Sequence, residues 1–263
     1  MNKLLFNQNF QNKTFNIEFL NKKNFYLFKI KNFLDENSYD FINKSFPKID
    51  NKKLANFDLE KNNYKYTIMS TDENYKKMIE KDERLQTIHS AIFSNFFFNY
   101  FYENLKIEFL KSRTDDPNFF LKLLKPKTLH LNQGYLKNFF YTYIRRHIEY
   151  SYIFNKGKIV PHTDGRKKLL SLLLFFPEGR EEEKDIGTTF WDSNKKNLNN
   201  KHLTDSQKEN EFKKNNKVIT KIDFNKYDLY GFIRTAKSWH SVEPFDLGKD
   251  YVRKSLNINF YFL

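Results

Sequence analysis

From about residue 130 to the C-terminus, apolar residues recur in short alternating or continuous bursts, separated by Gly, Pro and Asn/Asp clusters. That texture belongs to an all-β sandwich or barrel. The pattern predicts strands over 147–154, 158–163, 168–176, 187–191, 217–222, 228–234, 239–243 and 251–262. Eight such strands suit a double-stranded β-helix, the cupin-like jelly roll. The segment 193–216 is almost wholly polar and reads as an exposed, mobile insertion between strands. Upstream the period lengthens. A short strand, Phe25 to Ile30, precedes a helix opened by Asp35, with Tyr39, Phe41, Ile42 and Phe46 on one face. Residues 73–110 read as one or two long helices, with Leu85, Ile88, Ile92, Phe96 and Tyr100 near helical spacing. The expected architecture is one domain over 1–263. Residues 1–129 form a mostly helical buttress and 130–263 a β core interrupted by the polar insertion.

Composition narrows the chemistry. A chain with 39% hydrophobic and 18% aromatic residues can bury a sizeable core. It has no cysteine, which excludes disulfides, thiolate metal sites and cysteine nucleophiles, so any metal must sit on His, Asp or Glu. No run of 18 apolar residues and no signal-like start is present, and a cytoplasmic protein without a membrane segment is expected. The net charge of +14 invites a phosphate-binding reading. Arginine stands at only eight of the 46 basic positions, however, and lysine is scattered along the chain together with excess Asn, Ile, Phe and Tyr. A solvated surface explains this better than a nucleic-acid partner. Phosphate-cradling glycine loops and the GxSxG elbow are both missing from the sequence.

The candidate chemistry sits at Val160-Pro-His162-Thr-Asp164-Gly165, at the end of the second predicted strand. Residues two apart in an extended chain face the same side, so His162 and Asp164 can offer an imidazole and a carboxylate to one ion. His240, within Ser238-Trp-His-Ser-Val242, follows 78 positions later, far enough for the chain to return on a neighbouring strand. Two His and one carboxylate form a facial triad that leaves adjacent coordination positions open. Arg253 and Ser255 share one face of the last strand with Asn257, the polar face that would line the barrel interior. A buried arginine there calls for an anion, and its planar fork suits a carboxylate.

His162-x-Asp164, the downstream His240 and Arg253-x-Ser255 together resemble the 2-oxoglutarate/Fe(II) dioxygenase superfamily, nearest its prolyl-4-hydroxylase-like branch. The likeness runs over about 147–262 and weakly over Phe25 to Phe46. It also takes in Asp185 to Phe190, similar to a Gly-containing strand after the metal pair, and Asp228 to Phe232, similar to the strand leading to the second His. The resemblance implies Fe(II) on His162, Asp164 and His240, with 2-oxoglutarate on Arg253 and Ser255 and dioxygen as oxidant. It places Tyr152, with Tyr150 as alternate, where some members contact the co-substrate. The implied reaction is hydroxylation of a C–H bond in a small molecule, sugar derivative or peptidyl side chain, with release of succinate and CO2. Asn259 stands where AlkB-type demethylases carry a second arginine, which argues against that branch. Phe190 and Trp239 read as core. The competing reading is a non-redox metallohydrolase or cupin-type isomerase using the same three ligands with Zn(II) or Mn(II). A catalytically dead binding module is the third. Oligomeric state and the substrate itself leave no mark in the sequence.

Overall fold

The computed structural model describes residues 16–49, 57–58, 60–112, 126–128, 142–193 and 206–262. The chain opens with β1 (Ile17–Asn21), β2 (Leu27–Ile30) and α1 (Glu36–Lys44), then β3 (Lys65–Met69), α2 (Glu73–Lys81), α3 (Glu83–Ile92) and α4 (Asn95–Lys111). β4 (Pro126–Thr128), β5 (Thr142–Phe154), β6 (Ile159–His162), β7 (Lys168–Phe175) and β8 (Thr189–Asp192) follow. The chain then runs through α5 (Ser206–Asn215), β9 (Lys217–Lys221), β10 (Leu229–Ile233), β11 (Trp239–Val242) and β12 (Val252–Phe262).

The eight strands β5 to β12 are the eight predicted from the pattern. They pair antiparallel in two four-stranded sets, β10-β7-β12-β5 and β6-β11-β8-β9. Apart from β8 and β9, which pair with each other, consecutive strands pass from one set to the other around the barrel, which is the double-stranded β-helix. On the major sheet, β2 and β1 extend the β10 edge, while β3 and β4 pair with β5. The N-terminal part is therefore more than a helical buttress. Four of its strands widen the sheet, and β3 was not foreseen because Lys65-Tyr-Thr-Ile-Met lacks a clean apolar alternation.

Asp35 caps α1, its side chain accepting from the Ser38 N–H at 2.7 Å. Residues 73–111 form three helices rather than one or two. Asp82 ends α2 and starts α3, its carboxylate taking the Arg84 and Leu85 N–H groups, and Ser94 caps α4. The break re-aims the apolar face: Leu85, Ile88 and Ile92 are buried, Phe96 is exposed, and Phe97, Phe98, Phe101, Leu105 and Phe109 face the core. That core lies between the helices and the outer face of the major sheet. Arg146 is buried, donating to the Ile92 carbonyl at the C-terminal end of α3, where a cation is favoured, and to the Ser94 carbonyl just beyond it.

The polar segment 193–216 is likewise corrected. Residues 194–205 lie outside the described residues, but 206–215 form α5, which buries Glu209 and Phe212. The Phe212 ring packs on Trp239 and Trp191 at 4.6 and 5.9 Å, covering the outer face of the minor sheet directly behind His240. One aromatic in a run of polar residues was too weak a period to read. Phe212→Ala is expected to cost about 3 kcal/mol of stability, measured by urea denaturation.

The charged segment Glu178 to Lys184 is pinned from within. Glu183 is 1% exposed and accepts from the backbone N–H groups of Glu178, Gly179 and Arg180 and from the Tyr251 hydroxyl. Burial alone would raise its pKa, but the Tyr251 hydroxyl and then the three amides outweigh burial and hold it below the usual carboxylate range. A depressed carboxyl stabilises the fold above its unfolded pKa and loses that contribution as pH falls through the folded value. Glu183→Gln should therefore cost on the order of 2 kcal/mol near neutrality. The difference from the parent should shrink in acid, as followed by urea melts across pH.

Candidate metal centre and anion pocket

The barrel interior is divided. At one end Phe25, Ile153, Phe175, Phe190, Phe224 and Phe232 form an apolar plug between the two sheets. Beside it a cavity of about 260 Å³ is lined by His162, Asp164, His240, Arg253, Ser255 and Asn257, together with residues of β3, β5 and β7. That volume is at the small end for ligand pockets.

His162 and His240 meet as register partners across the antiparallel β6–β11 pair, with ring centroids 4.2 Å apart. Each imidazole is fixed by the carbonyl two residues before it. His162 Nδ1 lies 2.9 Å from the Val160 oxygen and His240 Nδ1 3.0 Å from the Ser238 oxygen. A carbonyl only accepts, so both Nδ1 atoms carry a proton, and in the neutral imidazoles both Nε2 atoms keep a lone pair, the tautomer a metal ligand needs. Asp164 lies just past the end of β6. Its backbone oxygen accepts from Arg234 Nε at 2.9 Å. One donor atom from each of His162, Asp164 and His240 lies within 4.8 Å of the others, the only such group of three or more His, Cys, Asp or Glu among the described residues. Both carboxylate oxygens of Asp164 are engaged, Oδ1 by Lys168 Nζ at 2.8 Å and Oδ2 by the Ser171 hydroxyl at 3.2 Å. Burial acts to raise the Asp164 pKa, but Lys168 first, then His240 and His162, hold it well below the usual carboxylate range.

β12 delivers the other end of the cavity. Arg253, Ser255, Asn257 and Asn259 pair with Ile153, Ser151, Glu149 and His147 of β5, so these residues share the interior face. Arg253 is 2% exposed. Its guanidinium lies over the rings of Phe175 and Phe224, at 5.0 and 4.8 Å, and Nε donates to the Ile186 carbonyl at 2.7 Å. Nη2 is buried with no hydrogen-bond partner among the described residues. Burial pulls its pKa down to about 10, so it remains a cation at neutral pH. The Ile186 carbonyl owes its place to Gly187, where a Cβ would fall 1.6 Å from the Ile222 oxygen.

Tyr152 does not reach this cavity. Alternation along β5 turns it and Tyr150 to the opposite face, into the core under the helices, where the Tyr152 hydroxyl donates to the Pro47 carbonyl at 2.5 Å. The expected co-substrate contact is thus corrected, and Ser151 and Glu149 are the β5 residues that face the cavity. Phe190 and Trp239 are core, as expected. The pocket residues that the sequence reading missed are Lys168, Glu149 and Lys65. Lys65 pairs with Glu149 at 2.9 Å. The strict alternation of β5 and β7 could have placed the first two.

The fold and the site define a double-stranded β-helix protein with a candidate two-histidine, one-carboxylate metal centre. No family model and no curated protein matches the sequence. Among solved structures, the chain is similar to a prolyl 4-hydroxylase from Phytophthora capsici, at 10% identity and a TM-score of 0.44, covering 89% of this chain and 58% of that one. A Pseudomonas putida prolyl-4-hydroxylase matches at 11% identity and a TM-score of 0.39, over 89% and 91% of the two chains. A non-heme alpha ketoglutarate dependent carbocyclase from nogalamycin biosynthesis matches at 9% identity and a TM-score of 0.46, over 89% and 79%. No helix among the described residues is long and apolar enough to cross a membrane.

Proposed function

We propose that this chain is one oxygenase domain that holds Fe(II) on His162, Asp164 and His240, anchors 2-oxoglutarate on Arg253 and Ser255, and uses dioxygen to hydroxylate a C–H bond. The substrate is a small molecule, a sugar derivative or a peptidyl side chain, and succinate and CO2 are the co-products. The observation that carries the reading is Arg253: a buried cation, without a carboxylate partner among the described residues, lining the same cavity as the triad. Leaving a charge buried without a counter-ion is costly, so the site is built for an anion. A dicarboxylic keto acid can satisfy the guanidinium with one end while the other end reaches the triad.

The donor set fits iron. Two neutral imidazoles and a carboxylate suit non-heme Fe(II), and the chain has no thiolate to draw a softer ion. Bound iron would supply the activation of dioxygen and of the keto acid; the rest is done by the protein. Val160 and Ser238 fix the imidazole tautomers, and Arg253 and Ser255 fix the co-substrate's distal carboxylate. The phenylalanines around the guanidinium exclude water from it, which strengthens its pull on an anion. A hydrolase or cupin isomerase would use the triad but leave Arg253 without a task.

Anaerobic titration of the iron-loaded protein with 2-oxoglutarate tests the reading. Formation of the weak visible charge-transfer band of a 2-oxo acid chelated to Fe(II), lost in His162→Ala and His240→Ala, is the expected result. Iron binding without such a band would leave the hydrolase or isomerase reading in its place.

A further inference from the structure

We propose that Lys168 is a positioning residue of the metal centre, a resident cation that holds Asp164 in the metal-free site and lowers the affinity of that site for a divalent ion. The inference rests on the reading of His162, Asp164 and His240 as metal ligands. Lys168 opens β7, four residues after Asp164, across a turn closed by its own N–H donating to the Gly165 carbonyl at 2.9 Å. Its Nζ sits 2.8 Å from Oδ1 of Asp164, and each side chain of the pair is 11% exposed. The ion pair therefore lies out of water, inside the cavity.

Orienting the carboxylate does not require a cation. Ser171 already donates to Oδ2, and a neutral donor in place of the ammonium would hold Oδ1. A lysine adds a fixed positive charge one hydrogen bond from a ligand oxygen, where it competes with an incoming ion for the same carboxylate and repels it at short range in a poorly solvated site. The rest of the pocket is arranged to keep this charge in place. The ammonium also lies 5.6 Å from the centroid of the Tyr261 ring, on its face, and feels the Glu149 carboxylate. With an ion on Asp164, these two groups remain to hold it.

The sign of the effect separates this role from an ordinary one. Removing a hydrogen-bond partner that merely orients a metal ligand weakens metal binding by about 10- to 100-fold. Removing a cation that opposes the metal strengthens it. Mn(II) binding to the full chain, followed by loss of the free-ion electron paramagnetic resonance signal, distinguishes the two. Lys168→Met and Lys168→Gln should tighten binding on the order of tenfold or more. Lys168→Arg, which keeps the charge, should stay within about threefold of the parent, and Ser171→Ala, which removes a neutral donor, should weaken binding. The glutamine variant keeps a donor beside Asp164 and decides the matter if the methionine variant does not fold. Unchanged or weaker binding by Lys168→Gln, with the parent binding Mn(II), overturns the role of Lys168 and leaves the metal reading standing. A parent chain that binds no Mn(II) overturns both.

Discussion

Arg253→Met is expected to abolish measurable binding of 2-oxoglutarate while leaving the affinity for Mn(II) within about threefold of the parent. Truncating one partner of a buried, hydrogen-bonded charge pair costs about 2–5 kcal/mol, a loss of roughly thirty- to several-thousandfold. The candidate metal ligands need not move, because Arg253 touches Phe175, Phe224 and the Ile186 carbonyl rather than the triad. Stability should move the other way from activity. The guanidinium is a desolvated cation with one good hydrogen bond from Nε and, among the described residues, none from Nη2. An apolar side chain of similar length relieves that cost, so the melting temperature of Arg253→Met should match or exceed the parent's. A purely structural arginine would give the opposite pattern, a lower melting temperature with co-substrate affinity intact. Arg253→Lys keeps a charge but loses the fork and the bond to Ile186, and should fall between. Calorimetric titration with 2-oxoglutarate in the presence of Mn(II), beside thermal melts without it, measures both quantities.

Much of this site was legible before the fold because its residues obey strand periodicity. His162 and Asp164 stand two apart, Arg253, Ser255 and Asn257 alternate on β12, and neither statement needs tertiary information. The pairing of His240 with His162 was legible only as a distance along the chain long enough to close, since which strands pair depends on the whole barrel. Tyr152 failed for a similar reason. Periodicity says that Tyr150 and Tyr152 share a face, but the register with β12 decides which face is the interior, and it is that of Ser151 and Ile153. The helix α5, the strand β3 and the buried Arg146 escaped because each is held by partners far away in sequence: the two tryptophans of the minor sheet, β5, and the end of α3. Local propensity carries no trace of such partners. Lys168 was hidden by the chain's own composition, one lysine among many.

The other large effect concerns the same ion pair seen from its acidic side. Asp164→Ala removes a candidate metal ligand and takes from the buried Lys168 ammonium its 2.8 Å counter-charge, so in the presence of a chelator it should cost about 3–5 kcal/mol of stability. His162→Ala also removes a candidate ligand but leaves the Asp164–Lys168 ion pair in place. It gives up a ring and one hydrogen bond to Val160, and should be clearly milder in the chelated protein. The double variant Asp164→Ala with Lys168→Met carries the argument. It cannot rebuild the metal centre, yet it removes the cation that lost its counter-charge, so most of the stability lost in Asp164→Ala should return while Mn(II) binding stays absent. The two single changes in metal-free protein are then strongly non-additive, as expected for groups in direct contact. The pH dependence follows from the depressed carboxyl of Asp164. Its contribution is present above the unfolded pKa, near about 3.9, and is lost as pH falls through the still lower folded value. The gap between parent and Asp164→Ala should therefore persist through mildly acid solution and close only in strong acid. Urea denaturation of the parent, the three single variants and the double variant with chelator, at neutral pH and then stepwise downward, measures it. Additive costs for Asp164→Ala and Lys168→Met would show that the 2.8 Å contact between these side chains contributes nothing to the fold.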